Sequence, residues 1–384
     1  MASPVDRLAA QRLRVAAMIH TRTVSGPARQ LAALAQRLDR DGVEMLIIVF
    51  QRKNQPLSAF VEYLQAAKIP HAVVTERHAF DLGLVEGVKQ TLSQFRPHIV
   101  QTHGYKPSAV AAALRLRRAP WKWIAFWHGT TTENLKVRGY HQLDAFLVRR
   151  ADRLVVMSDA QRRRFADLGE TVSVIPNAVV APSRAVSPLA LPANAPRPVL
   201  GVIGRLSSEK GVDVFLHAAA RLVEQKASFS AVVVGDGPDR AALVALRDEL
   251  GLTDRVHFLG HLADPSPVYA AIDLLVIPSR SEGLPNVLLE ALAADKPVAA
   301  TSVGAIPDVI DSPQVGVVVP PESPGELATA MLTALRLRDD SDAARARRRV
   351  VDRFSLDRRV EAHRRIYAAL CPMPSLEPAL ASRR

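Results

Sequence analysis

The stretch that decides the fold is Val199–Ile203, read VLGVI, followed by Gly204-Arg205-Leu206-Ser207-Ser208-Glu209-Lys210-Gly211 and an amphipathic run from Val212. A short wholly apolar segment, a glycine-bounded loop and a helical pattern make one βα unit of a parallel sheet. The loop feeds a helix N-terminus, where free backbone N–H groups and the helix dipole favour an anion. Arg205 can grip phosphate oxygens with its planar fork, and Lys210 adds a mobile point charge. The loop is neither a Walker loop nor a Gly-x-Gly-x-x-Gly fingerprint.

The same alternation runs along the whole chain. Upstream, the apolar runs are Leu13–Ile19, Val43–Phe50, His71–Val74, His98–Thr102, Trp121–Trp127, Arg153–Met157 and Val172–Ile175, with helical patterns such as Ala28–Asp39 and Leu82–Phe95 between them. Downstream they are Ser230–Val234, Val256–Leu259, Leu274–Ile277, Val298–Ala300 and Gly316–Val319. The expectation is an α/β protein of two Rossmann-like, doubly wound domains facing each other across a cleft. Prolines 182, 188, 192, 196 and 198 mark a semi-rigid linker. The layout is therefore an N-terminal Rossmann-like domain over 1–181, a linker over 182–198 and a second such domain over 199–350. A helix over 351–371 packs back toward the first domain, and 372–384 form a tail.

Composition removes several classes. The 384 residues are 48% apolar, which excludes a disordered or collagen-like chain, and their number fits two domains. The single cysteine, Cys371, excludes a disulfide framework and a cysteine zinc site, and suits a reducing cytosol. Apolar runs such as Met45–Phe50 are far shorter than the ~20 residues of a membrane span. Asp6, Arg7, Arg12 and Arg14 interrupt any signal-peptide core. The expected location is cytoplasmic.

A second constellation is Ser281-Glu282-Gly283-Leu284-Pro285-Asn286-Val287-Leu288-Leu289-Glu290-Ala291. Pro285 suits the first turn of a helix, so the amides of Gly283 to Val287 lie at an open N-terminus. Each of the two carboxylates, Glu282 and Glu290, can accept hydrogen bonds from two sugar hydroxyls. Glu290 lies among leucines, where a carboxylate needs a partner.

These two stretches, with Val234-Gly235-Asp236-Gly237-Pro238, Val256-His257-Phe258-Leu259-Gly260 and Ile175-Pro176-Asn177, stand in an order and at intervals that resemble the retaining glycosyltransferases of family four, of GT-B fold. The resemblance covers nearly the whole chain and is strongest in the second half. It implies that Gly204, Arg205 and Lys210 hold the diphosphate of a nucleoside-diphosphate sugar. Glu282 and the backbone of Gly283, Leu284, Pro285, Asn286 and Val287 would line the transferred sugar and distal phosphate. Glu290 would hold the ribose, and His257, Phe258 and Leu259 would flank the base. The catalytic set it implies is His128, Glu282, Arg205 and Lys210, with the nucleotide sugar as co-substrate and no metal or other cofactor.

In the first half, His20 follows a strand and Ser25-Gly26-Pro27 opens a helix, where the family often has a Gly-Gly pair and this chain has only Gly26. His103 with Lys106, and His128, follow the fourth and fifth strands. By resemblance His128 reaches the reacting sugar, while His20, Ser25, Gly26, His103 and Lys106 serve the acceptor, with Lys136 and Arg138 continuing the basic lining. Asp340-Ser341-Asp342 has the form of an Asp-x-Asp metal motif but lies between two helices, away from any strand end.

Charge is divided unevenly. Residues 1–200 carry 28 Lys/Arg against 14 Asp/Glu, and 201–384 carry 22 against 24. The first half is thus suited to something anionic. Arg115, Arg117, Arg118 and Lys122 interleave with Trp121 and Trp123 as a membrane-interface anchor would, and Arg52, Lys53 and Arg162 to Arg164 extend the same basic surface. The alternative is that the two tryptophans start a buried strand. A glycan or lipid-linked acceptor in bacterial cell-surface polysaccharide, lipopolysaccharide or glycolipid synthesis fits this charge. The rival readings are a basic nucleic-acid-binding protein, for which no motif is present, and a sugar-nucleotide epimerase of the same fold. The donor base and sugar, the acceptor and any protein general base have no signature in the sequence.

Overall fold

The computed structural model describes residues 12–372 apart from 79–80, 117–118, 129–134, 181–186, 190–194 and 263. These residues form two compact units: 12–128, 138–176 and 356–372 in the first, and 135–137 with 177–355 in the second.

The first unit is built on seven strands: β1 Leu13–Ile19, β2 Val43–Arg52, β3 His71–Glu76, β4 Ile99–His103, β5 Lys122–Trp127, β6 Arg153–Val156 and β7 Val172–Val174. All pairings are parallel, in the order β3-β2-β1-β4-β5-β6-β7. Burial explains the pattern: Leu13, Val15, Ala16, Ala17 and Met18 of β1 are all inaccessible, because helices cover both faces of a parallel sheet. Helix Leu82–Phe95 starts where Asp81 accepts a hydrogen bond from the Gly83 N–H at 2.8 Å, and ends at Arg96 with φ 51°.

The second unit repeats the plan with β8 Val199–Ile203, β9 Ser230–Val234, β10 Val256–Gly260, β11 Leu274–Ile277, β12 Val298–Thr301 and β13 Gly316–Val319. Their order is β10-β9-β8-β11-β12-β13, again parallel throughout. Every strand expected from the sequence is present. In both sheets the strand order reverses once, between β1 and β4 and between β8 and β11. The carboxyl ends of those strands are where doubly wound sheets bind ligands.

The contact division falls at Pro176/Asn177, where the sequence reading places it at 181/182. Asn177 donates its side-chain amide to the Leu284 carbonyl at 2.9 Å, and the Val179 N–H reaches the Phe354 carbonyl at 2.7 Å, tying these residues to the second unit. Downstream, helix Ser341–Arg353 runs past the 350/351 boundary of the sequence reading, and the division comes at Ser355/Leu356. Helix Leu356–Leu370 belongs to the first unit, into which it buries Arg359, Val360, His363, Ile366 and Tyr367. Of the expected linker, 182–186 and 190–194 lie outside the described residues, as does the tail beyond 372.

Candidate active site

In the second unit the loop after β8 is clamped by backbone. The Gly204 N–H bonds the Val234 carbonyl at 2.9 Å, and the Leu206 N–H bonds the Asp236 carbonyl at 3.0 Å. Gly235 makes this approach possible: a Cβ there would lie 1.7 Å from the Gly204 carbonyl oxygen. Gly211, with φ 61°, joins the turn Ser208–Lys210 to helix Val212–Glu224. The loop therefore presents Gly204, Arg205 and Lys210 at the N-terminus of a thirteen-residue helix.

Opposite it, the segment after β11 carries Glu282. Lys210 Nζ donates to Glu282 Oε1 at 2.7 Å, and Ser279 Oγ donates to the same oxygen at 2.8 Å. The Glu282 loop is held from behind, because the Ala305 N–H bonds the Gly283 carbonyl at 2.8 Å. Gly204, Arg205, Lys210, Ser279, Glu282 and Val287 line one solvent-open pocket, together with Val202, Val276 and Ile277. Cations and a carboxylate that share a pocket beside a helix N-terminus can hold a phosphate and a polyol together.

The remaining donor-side residues are placed as follows. Helix Asn286–Ala293 begins one residue after Pro285, which is its N-cap instead of lying in its first turn. Gly283, Leu284 and Asn286 lie along the entry to this helix, outside the pocket lining. Glu290 is buried, and its Oε2 accepts a hydrogen bond from the Tyr269 hydroxyl at 2.8 Å. His257 and Phe258 are half-buried on the edge strand β10 and Leu259 is exposed, none of them lining the pocket.

In the first unit the carboxyl ends of β1 to β4 converge on a carboxylate that sequence reading passed over. Glu76, the last residue of β3, is 1% exposed and accepts a hydrogen bond from Lys106 Nζ at 2.6 Å. His20 Nε2 and Arg52 Nε each lie 3.7 Å from its other oxygen. Burial and the Lys106 charge lower the pKa of His20, although Glu76 opposes them, so the ring is neutral at pH 7. Beside it, Ser25 caps helix Gly26–Asp39 through its backbone, and its hydroxyl lies 3.5 Å from that of Thr21. Thus His20 and Lys106 are brought together through Glu76, and Ser25 and Gly26 form an open helix start.

His103 and His128 also meet: His103 Nδ1 lies 3.0 Å from His128 Nε2, and their rings stack. Phe126 stacks on His103 and on His363, which helix Leu356–Leu370 supplies. Burial, reinforced by the Arg359 charge, pushes the pKa of both His128 and His363 down to about 3. Burial, with His128, Arg359 and His363 beyond it, holds His103 well below its ordinary value. Two neutral imidazoles therefore share one hydrogen bond, and His128 can offer a hydrogen bond without carrying charge.

Other expectations are corrected. Trp121 and Trp123 are core residues, with Trp123 Nε1 donating to Thr102 Oγ1 at 2.9 Å, so neither anchors a membrane. Arg115 is committed to Asp152 at 2.8 Å, while Arg117, Arg118 and the side chains of Lys136 and Arg138 lie outside the described residues. Asp340 is a helix cap: its Oδ1 accepts from the N–H groups of Asp342 and Ala343 at 2.8 and 3.0 Å. Sequence reading also missed Arg359, His363 and Tyr367, whose i, i+4, i+8 spacing on one helix face was the available signal. For Glu76 there was none, since its partners come from distant strands.

Residues 24–181 match the sequence model of glycosyltransferase family 4, and residues 197–336 that of glycosyl transferases group 1. With two parallel doubly wound units and the loop motifs of the second, the chain belongs to the family-four glycosyltransferases of GT-B fold. Over 147 residues it is 41% identical to the 2-deoxystreptamine glucosyltransferase of Streptomyces kanamyceticus, covering 37% of each chain. Over 239 residues it is 32% identical to the lipopolysaccharide core biosynthesis mannosyltransferase LpcC of Rhizobium leguminosarum bv. viciae, covering 59% of this chain and 66% of that one. Across such curated relatives it spans 30% to 66% of their length. The Anabaena protein HepE, solved with UDP-glucose, superposes with a TM-score of 0.76 at 22% identity, covering 93% of this chain and 100% of that one. Among the described residues no helix is long and apolar enough to cross a membrane.

Proposed function

We propose that the protein transfers a sugar, with retention at the anomeric carbon, from a nucleoside-diphosphate sugar to a hydroxyl of a glycan or lipid-linked acceptor in bacterial cell-surface polysaccharide, lipopolysaccharide or glycolipid synthesis. The observation that carries this reading is the 2.7 Å contact of Lys210 with Glu282 inside the pocket that Gly204 and Arg205 also line. An arriving diphosphate takes Lys210 from Glu282, which frees the carboxylate to receive hydroxyls of the sugar. The C1–O bond breaks with oxocarbenium character, and Arg205, Lys210 and the helix N-terminus stabilise the departing diphosphate without a metal. The acceptor hydroxyl enters on the same face and gives its proton to the departing phosphate. Neutral His128 donates a hydrogen bond to the reacting sugar, and Glu290 holds the ribose.

Nucleoside diphosphate release from a panel of UDP- and GDP-sugars is the direct test. Lys210→Ala and Glu282→Ala each leave the chain folded and abolish release; near-normal turnover in either sinks the reading. Steeply salt-dependent binding of DNA or RNA, without any such release, would instead favour a nucleic-acid function for the basic half. Peripheral contact with an anionic membrane is part of the proposal and rests on the exposed Arg162, Arg163 and Arg164. Sedimentation with phosphatidylglycerol vesicles should be lost when all three are changed to Glu.

A further inference from the structure

Lys210 and Glu282 stand on different loops, 72 residues apart in sequence, yet their side chains meet at 2.7 Å. Backbone contacts alone join the loops loosely: the N–H groups of Arg280 and Ser281 share the Glu209 carbonyl, at 2.8 and 3.3 Å. The side chain of Arg280 does the rest. Nη1 donates to the Ser208 carbonyl at 2.7 Å and to Asp213 Oδ1 at 2.8 Å, and Nη2 donates to Asp213 Oδ2 at 2.6 Å. Nη2 also donates to Glu322 Oε2 at 3.1 Å, and Nε donates to Glu322 Oε1. A guanidinium has five N–H groups, and all are engaged.

We infer that Arg280 is a positioning residue that sets the register between the phosphate loop and the sugar loop, and so decides how well the sugar of the donor is held. This rests on the reading of the pocket as a nucleotide-sugar site. Arg280 reaches three places at once: the turn just before Lys210, the second residue of the helix whose N-terminus faces the pocket, and the loop after β13. Its own backbone lies two residues before Glu282. Two carboxylates already neutralise its charge, so it is not a phosphate ligand; its contribution is geometric. The diphosphate of the donor is held chiefly by the loop after β8 and its helix. The sugar needs Glu282 held at a fixed distance across the pocket from the phosphate loop, which requires both loops in register.

Arg280→Ala and Arg280→Lys separate this from a plain stabilising role. Asp213 and Glu322 are 38% and 57% exposed, so both remain hydrated when the guanidinium is removed and the fold survives. Titration calorimetry is done with UDP, UDP-glucose, GDP and GDP-mannose, alongside thermal unfolding. For the base that the wild type binds, the Kd of the nucleotide sugar rises about tenfold or more in both variants, and that of the bare nucleotide by about threefold or less. Lysine fails to substitute because one ammonium cannot span a carboxylate pair and a carbonyl. A lowered unfolding temperature with an unchanged ratio of the two Kd values overturns the inference, as does full rescue by Arg280→Lys. If the wild type binds none of the four probes, the donor-site reading itself falls, and this inference with it.

Discussion

Lys106 and Glu76 meet at 2.6 Å at the carboxyl edge of the first sheet, and Lys210 and Glu282 meet at 2.7 Å at that of the second. The two pairs have the same chemistry and nearly the same length. They differ in exposure: the side chains of the first pair are 10% and 1% exposed, those of the second 28% and 8%. The buried pair has His20 and Arg52 as further neighbours. The open pair lines a cavity, and its lysine is the half that faces solvent. A buried ion pair is hard to part, because either partner alone would be a desolvated charge. A half-open pair can exchange one partner for an incoming anion at little cost. The first pair is thus built as a fixed support for the strand ends around it, and the second as a contact that a substrate opens.

The largest expected effect tests this contrast directly. Lys106→Met leaves the buried Glu76 with only the longer Arg52 contact at 3.7 Å and should cost about 3 kcal/mol of stability in urea unfolding. Lys210→Met should cost within about 1 kcal/mol, since solvent reaches the pair and screens it. Similar losses in the two variants would break the comparison. Because the first variant is barely stable, Glu76→Gln with Lys106→Met should recover most of the loss, as removing both charges removes the desolvated one.

The two sheets were fully legible in the sequence, because strands covered on both faces read as unbroken apolar runs and the loops between them carry turn residues. The second edge was legible too: glycines that admit backbone within 3 Å, Gly235 above all, leave a spacing that only such packing needs. The first edge was not. Glu76 ends a strand whose burial alternates, and it becomes a centre only because β1, β2 and β4 deliver His20, Arg52 and Lys106 to it. In the Arg-rich C-terminal helix the i, i+4, i+8 spacing of Arg359, His363 and Tyr367 was the one signal of their burial, and the arginine-rich composition masked it. Arg280 stands just outside the motif that begins at Ser281, and its five contacts come from three other segments. What pairs locally or repeats can be read from a sequence; what converges from several strand ends cannot.

The next effect is on acid stability and belongs to the first unit. His128 and His363 are held down to about 3 by burial and Arg359, from an ordinary value of 6.5, and His103 is lowered in the same way. The folded state therefore refuses protons that the unfolded chain accepts. These groups leave stability unchanged above the ordinary value; below it stability falls with pH until the folded values are reached. His128 and His363 should each remove about 2 kcal/mol by about pH 5. His363→Phe keeps an aromatic ring against Phe126 and should flatten the decline by about 1.4 kcal/mol per pH unit. Hydrogen exchange at about pH 5 should show the first unit opening before the second. An unchanged slope in His363→Phe would mean that this ring is not a source of the acid lability.

The smallest effect asks how self-sufficient the open pair is. Glu282 Oε1 accepts one hydrogen bond from Lys210 and one from the buried Ser279 hydroxyl, which sits on the segment that Thr301 holds through the Ser279 carbonyl at 2.5 Å. Ser279→Ala removes one neutral donor to a carboxylate that keeps its cation, so stability should change by about 1 kcal/mol at most. When a donor diphosphate draws Lys210 away, however, Ser279 is the remaining protein group that fixes the orientation of the carboxylate. The variant should therefore lose about three- to tenfold in kcat/KM for the nucleotide sugar, with KM moving more than kcat. A loss as complete as that of Glu282→Ala would mean that Lys210 never leaves and that Ser279 alone presents the carboxylate. No loss at all would mean that Lys210 by itself holds Glu282 throughout turnover, which would make the open pair as fixed as the buried one and erase the distinction between the two edges.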